Sequence, residues 1–174
     1  MNFLRLTAAA MLIVLAVDVV AGKDVGDDRV CAMGGGAVDS GMGCYYTVEF
    51  ENSCEDVMKE IEARLNGQKS GEWADPHNGT YSMMSKSTNL LEIEHIDVNY
   101  KYDDFIDLAF TSQDGEGCKM AGCSESQVQN THNNFCNIHD LYCTEEGCKP
   151  FNSALKYEEM TGTCNNQDDA SQCV

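Results

Sequence analysis

His132, Cys136, His139 and Cys143 follow the spacing H-x3-C-x2-H-x3-C, and imidazole with thiolate is a donor mixture that zinc takes. Zinc needs thiolates, whereas an oxidising compartment turns such thiols into disulfides. Nucleophilic Cys–His catalysis meets the same objection, because it needs a spare thiol and the chain has ten cysteines, an even number. Disulfides are the expectation for this segment.

The carboxylates offer other chemistry. Glu92 and Glu94 share one face of an expected strand, about 6–7 Å apart, the separation of an acid/base pair in a glycoside hydrolase. No set of aromatic residues accompanies them, and two strand carboxylates facing water are the commoner arrangement. Asp103, Asp104 and Asp107, or Asp114 with Glu116, offer oxygen ligands for calcium, but none fits the spaced acidic loop that ends in Glu. A solvated acidic face is expected instead. No catalytic residue, metal ligand or cofactor is assigned from these clusters. Asn78-Gly79-Thr80 is a standard N-glycosylation sequon, on the turn after Asp75-Pro76.

The elements that must position these groups are legible in outline. Cys44 to Phe50 reads as a strand rich in aromatic and β-branched residues. A helix follows from Cys54 to Asn66: Ser53 caps it, Asp56 completes a capping box, and Gly67 is expected to close it. Val57, Ile61 and Leu65 recur every fourth residue, with Met58 beside them. Glu55–Lys59 and Glu60–Arg64 pair four residues apart on a face expected to meet water.

Strand-like segments then run from Thr80 to Lys86, Leu90 to Val98 and Phe105 to Thr111, alternating apolar and polar residues. Beyond Cys118 short loop-rich pieces are expected, with a polar tail from about Thr161. The fold class is α+β: one amphipathic helix packed on an antiparallel β-meander, followed by a disulfide-rich C-terminal region.

The cysteines are Cys31, Cys44, Cys54, Cys118, Cys123, Cys136, Cys143, Cys148, Cys164 and Cys173. Five disulfides are expected, with the pairing open. None lies between Cys54 and Cys118, so that stretch must fold by packing. Composition explains the need for staples. Leu, Ile, Val and Phe are sparse, while 29 acidic residues against 11 basic ones leave a net charge of −18. That self-repulsion opposes compaction of a thin core.

Arg5, the apolar run from Ala8 to Val17 and the small residues Val19 to Gly22 have the order of a secretory signal peptide. Residues 1–22 are thus expected to be a leader, 23–43 a glycine-rich arm, and 44–174 a single disulfide-stapled domain in a secreted, extracellular protein. No later stretch is apolar enough to span a membrane. The scattered Lys and Arg residues exclude nucleic acid as a partner, because phosphate neutralisation supplies most such affinity.

Four blocks carry a resemblance. They are Trp73 to Tyr81 (WADPHNGTY), Gly117 to Val128 (GCKMAGCSESQV), Cys136 to Cys143 (CNIHDLYC) and Gly147 to Pro150. Together they resemble a family of small secreted cysteine-rich proteins of marine microalgae, diatoms and dinoflagellates among them, over roughly residues 54–173. Asn130 to Asn134 departs from that pattern. The family has no established activity, so the resemblance implies secretion and one fold and transfers no catalytic residue.

The order strand–helix–strand–strand–strand also resembles the cystatin-like roll, an inhibitor fold. Inhibition there relies on a Gln-x-Val-x-Gly hairpin and a later Pro-Trp. Here the hairpin is Lys86-Ser87-Thr88-Asn89, and Gln127-Val128-Gln129-Asn130 is neither in place nor in pattern.

The expected function is that of a non-catalytic extracellular module binding a protein, a glycan or a small ligand. An inhibitor or effector acting on a foreign protein is the alternative. A small extracellular hydrolase, in which His77, Glu92 and Glu94 converge, is the second alternative.

Overall fold

A computed structural model describes residues 43–98, 103–114, 117–126, 134–144, 148, 150–160, 162–164 and 173. The expected leader and nearly all of the glycine-rich arm lie outside these residues, as do Glu116, Gln127 to Asn130 and His132.

Ser53, in extended conformation, starts helix α1 (Cys54–Ser70). Its Oγ accepts the Asp56 N–H at 3.2 Å and donates to Asp56 Oδ2 at 2.7 Å, so the cap and the first-turn acid hold each other. The helix runs one turn past the expected stop. Gly67 does not close it; Gly71, at φ 76°, does, and the Glu72 N–H returns to the Gly67 carbonyl at 2.8 Å. Gly67 is needed inside the helix for a different reason. A Cβ there would stand 2.5 Å from Phe151 Cε2, so the missing side chain is the room in which that ring packs.

Strands β1 (Gly43–Phe50), β2 (Thr80–Lys86), β3 (Leu90–Ile96), β4 (Asp103–Ser112), β5 (Cys118–Ser126) and β6 (Tyr157–Glu159) form one antiparallel sheet in the order β2-β3-β4-β5-β1-β6. The short β7 (Thr163–Cys164) also pairs with β1. β1 begins at Gly43, one residue before the expected start, and β3 stops at Ile96, two residues before the expected end. β5 and the pieces after it were expected as loops; instead β5 is an inner strand between β4 and β1.

The register stacks residues of one face in rows: Leu91 opposite Leu108, Ile93 opposite Ile106, and Val48 and Phe110 both opposite Met120. All of these are buried. Helix α1 covers this inner face at β2, β4 and β5, and the short α2 (Asn134–His139) covers β5, β1 and β4. α2 comes close because β5 has Gly122 beneath it, where a Cβ would stand 2.9 Å from Ile138 Cγ2. Val57, Ile61 and Leu65 point from α1 into this core and are at most 2% exposed. Each such burial is worth about 1.5–3 kcal/mol.

The face of α1 expected to meet water does so only in part. Glu55 and Lys59 pair there at 2.6 Å, but Glu60 and Arg64 are both 0% exposed. A second layer, made of residues 140–143 and 151–153, lies over them. Disulfides hold that layer and the sheet ends: Cys44–Cys164, Cys54–Cys118, Cys136–Cys173 and Cys143–Cys148. Cys123 is also disulfide-bonded, and among the described residues no cysteine is free. Disulfide-stapled α+β is therefore the architecture. Among the described residues no helix is long and apolar enough to cross a membrane.

Candidate functional site

Three buried polar clusters lie around the two helices. The first is the Glu60–Arg64 pair. Arg64 Nε donates to Glu60 Oε1 at 2.9 Å, and its two terminal nitrogens donate to the carbonyls of Asp140 (2.9 Å) and Cys143 (2.8 Å). Glu60 in turn accepts the backbone N–H groups of Phe151, Asn152 and Ser153 at 2.6–3.0 Å. Burial raises the Glu60 pKa, but these three N–H groups and Arg64 more than reverse that and hold it below the ordinary value. This pair fastens the C-terminal layer to α1.

The second cluster centres on His95, on the inner face of β3. Its Nε2 lies 3.2 Å from Asp75 Oδ2 and its Nδ1 3.5 Å from Asp104 Oδ2. Burial alone would lower the His95 pKa; the hydrogen bonds and charges of Asp104 and Asp75 outweigh it and raise the pKa to about 9. Asp104 accepts further bonds from Ser126 Oγ (2.6 Å) and Asn137 Nδ2 (2.8 Å). Asp75 accepts the N–H groups of Gly79 (2.5 Å) and His77 (3.3 Å) in the turn after Pro76. Gly79 has to be glycine because a Cβ would sit 1.9 Å from His95 Nε2. The imidazole is thus a clamped cation, 1% exposed.

The third cluster lies under α2. His139 Nδ1 is 2.8 Å from Glu159 Oε1, and the Tyr142 hydroxyl is 2.6 Å from the same oxygen and 2.9 Å from the Tyr46 hydroxyl. Burial is the main cause that pushes both phenols well above their ordinary pKa, so they stay neutral.

One group near these clusters is not satisfied. Asp140 follows α2 and is 1% exposed; its Oδ2 lies 3.1 Å from His77 Nδ1. Its other oxygen, Oδ1, is the one buried side-chain polar atom among the described residues with no hydrogen-bond partner. Burial raises the Asp140 carboxyl pKa, and His77 offsets only part of that. Asp140 also lines a recess of about 280 Å³ between the end of α1, the turn at Pro76 and the Cys143–Cys148 bridge. Arg64, Glu72, Trp73 and Ala74 are among its other lining residues.

Comparison with models of known protein families, with curated proteins and with solved structures finds no match in any of the three.

The residues singled out from the sequence are dispersed. Cys136 and Cys143 are bonded to Cys173 and Cys148, so the H-x3-C-x2-H-x3-C spacing supplies no thiolate, and its His132 lies outside the described residues. Glu92 and Glu94 stand on the outer face of β3, opposite to His95, where Glu92 accepts a hydrogen bond from Ser85. His77 belongs to the turn on the other side of the sheet, so the three do not converge. Asp104 faces inward while Asp103 and Asp107 face outward, which separates that calcium candidate; Asp114 is exposed, and its companion Glu116 is outside the described residues.

Asn78 is exposed at the tip of the turn, with φ 61°. Asp75, His95 and Asp140 carry no role in the sequence reading, and Asp104 enters it only as a calcium candidate. Their one sequence signal is Asp75-Pro76 followed by Gly79, a turn that aims a carboxylate back at its own backbone.

Proposed function

We propose that the protein is a secreted, non-catalytic extracellular module that binds a small ligand carrying an ammonium group, seated in the recess beside Trp73. The recess carries this reading: at about 280 Å³ it accepts a small molecule, and Trp73, Glu72 and Asp140 are among the residues that line it. Arg64 also borders it, but that charge is matched by Glu60 and its donors are already bonded. The recess is therefore negative, beside an aromatic face that favours a cation. Paired cysteines and the basic-then-apolar N-terminal pattern support export.

Binding rather than catalysis is supported by the state of the buried groups. His95 is a cation at neutral pH with both nitrogens engaged, so it cannot take a proton.

Trp73 is the only tryptophan in the chain, so its fluorescence reports the recess directly. Titration with polyamines, quaternary amines and amino sugars should give a saturable change with at least one of them. Neutral sugars and carboxylic acids should give none, and Glu72→Gln should weaken the response. A flat response to every amine would sink the reading.

A further inference from the structure

We propose that Asp75, His77 and Asp140 form a binding site for a divalent first-row transition ion, with zinc the best fit to their donors. The inference goes beyond the recess ligand and does not depend on it. One ligand atom from each residue lies within 4.8 Å of the other two, in a set of two carboxylates and one imidazole. A tetrahedral ion with bonds of about 2.0–2.2 Å draws such atoms together by roughly an ångström, and leaves a fourth position for water or another ligand. Calcium fits less well, because it asks for six or more oxygens.

Three features support a site here. Asp140 Oδ1 is fully buried and without a partner, a state that is costly for a carboxylate unless something meets it. Asp75 is held by outer contacts of the kind metal ligands have: its oxygens accept the Gly79 and His77 N–H groups and face His95. Asp75 Oδ1 accepts the His77 N–H and keeps a second lone pair for an ion, and Asp140 Oδ1 has no partner to displace.

The local charge has the right sign as well. Asp75, Asp104 and Asp140 place three carboxylates around the one imidazole of His95, and Arg64 is matched by Glu60. The other candidate cluster, His139 with Cys143 and Cys148, lacks these features because both sulfurs are in a disulfide.

The test uses the oxidised full-length secreted protein, loaded with zinc alone, dialysed against buffer of defined free zinc and assayed by elemental mass spectrometry. About one equivalent per chain should remain. Asp140→Asn keeps the shape of the side chain and should weaken zinc binding roughly tenfold or more, as should His77→Gln. Glu72→Gln should leave it unchanged, which separates this site from the recess ligand. Zinc should also shift the imidazole resonances of His77 in the NMR spectrum while those of His139 stay in place. Wild-type protein retaining no zinc would overturn the proposal. So would equal retention by folded Asp140→Asn and His77→Gln, or binding that appears only after reduction.

Discussion

The Arg64 guanidinium donates to the carbonyl of Cys143 at 2.8 Å, joining two residues 79 positions apart. With Glu60 on the same helix it forms a charged peg, 0% exposed, around which the C-terminal layer folds. Removing one partner of such a pair leaves a buried charge and unpaired carbonyls. Arg64→Met should therefore cost about 3–5 kcal/mol in a guanidinium chloride unfolding experiment. Replacing both residues, Glu60→Met with Arg64→Met, should cost less than the single change. A loss below about 1 kcal/mol for Arg64→Met would show that the peg is idle.

His95 makes stability depend on pH in a direction that its neighbours dictate. Its folded pKa, about 9, lies above the unfolded value of 6.5. The folded state therefore holds the proton more tightly. The associated stability, on the order of 3 kcal/mol, is fully present below pH 6.5 and is lost as pH rises through 9. On the acid side Asp75, whose pKa is lowered by His95 and two N–H groups despite burial, contributes stability that disappears below the ordinary carboxylate range. Urea unfolding of the oxidised protein should show stability falling between pH 6.5 and 9.5, and this His95 step should vanish in His95→Gln. No decline between pH 6.5 and 9.5 would contradict the clamp.

Asp107 behaves oppositely to Asp75. It faces outward between Glu92 on β3 and Glu125 on β5; burial first, then these two charges, raise its pKa to about 6. Ionising it opposes folding, so the penalty is absent near pH 4 and complete above pH 6. Asp107→Asn should stabilise the protein at pH 7–8 by about 1–2 kcal/mol once solvent screening is allowed for. Near pH 4 it should change little. Equal effects at both pH values would remove the electrostatic explanation.

The disulfides should not be equivalent. Cys44–Cys164 closes a loop with a sequence separation of 120, whereas Cys143–Cys148 closes one of 5. On loop entropy alone, serine at both ends should cost about 5 kcal/mol for the long bridge and about 2 kcal/mol for the short one. Thermal unfolding of the two double variants makes the comparison. The reverse order would mean that the short bridge acts through Arg64, whose acceptor is the Cys143 carbonyl.

The helix-on-sheet unit was legible because its apolar residues obey simple periods. Val57, Ile61 and Leu65 mark one side of α1, and Leu91, Ile93, Ile106, Leu108 and Phe110 alternate along β3 and β4. β5 was not legible, and the reason is physical. Its inward residues are Cys118, Met120, Gly122, Ser124 and Ser126, a row with no β-branched or aromatic member. The row suits its place, since Gly122 admits Ile138 and Ser126 bonds Asp104.

Burial of Glu60 and Arg64 was hidden for another reason. An i,i+4 ion pair reads as solvated unless one knows that a segment some eighty residues away lies over it. The candidate site was least legible of all. Asp75, His77, His95, Asp104 and Asp140 share no spacing, and the sheet register, the turn at Pro76 and the end of α2 together bring them near one another.

The sheet order sets a sequence of events for folding. β2, β3 and β4 pair with their immediate neighbours along the chain, so a meander can form as soon as they are made. β1 must wait. Its described partners are β5, β6 and β7, all far downstream, and long-range pairings of this kind are slow to form. During that wait Cys44 and Cys54 lack their partners Cys164 and Cys118 while lying close to each other in the chain. Premature bonding between them would have to be undone by thiol–disulfide exchange before β1 could be seated. Seating the first strand is thereby among the last steps of assembly, and the yield of native protein depends on how well the folding compartment reshuffles those two cysteines.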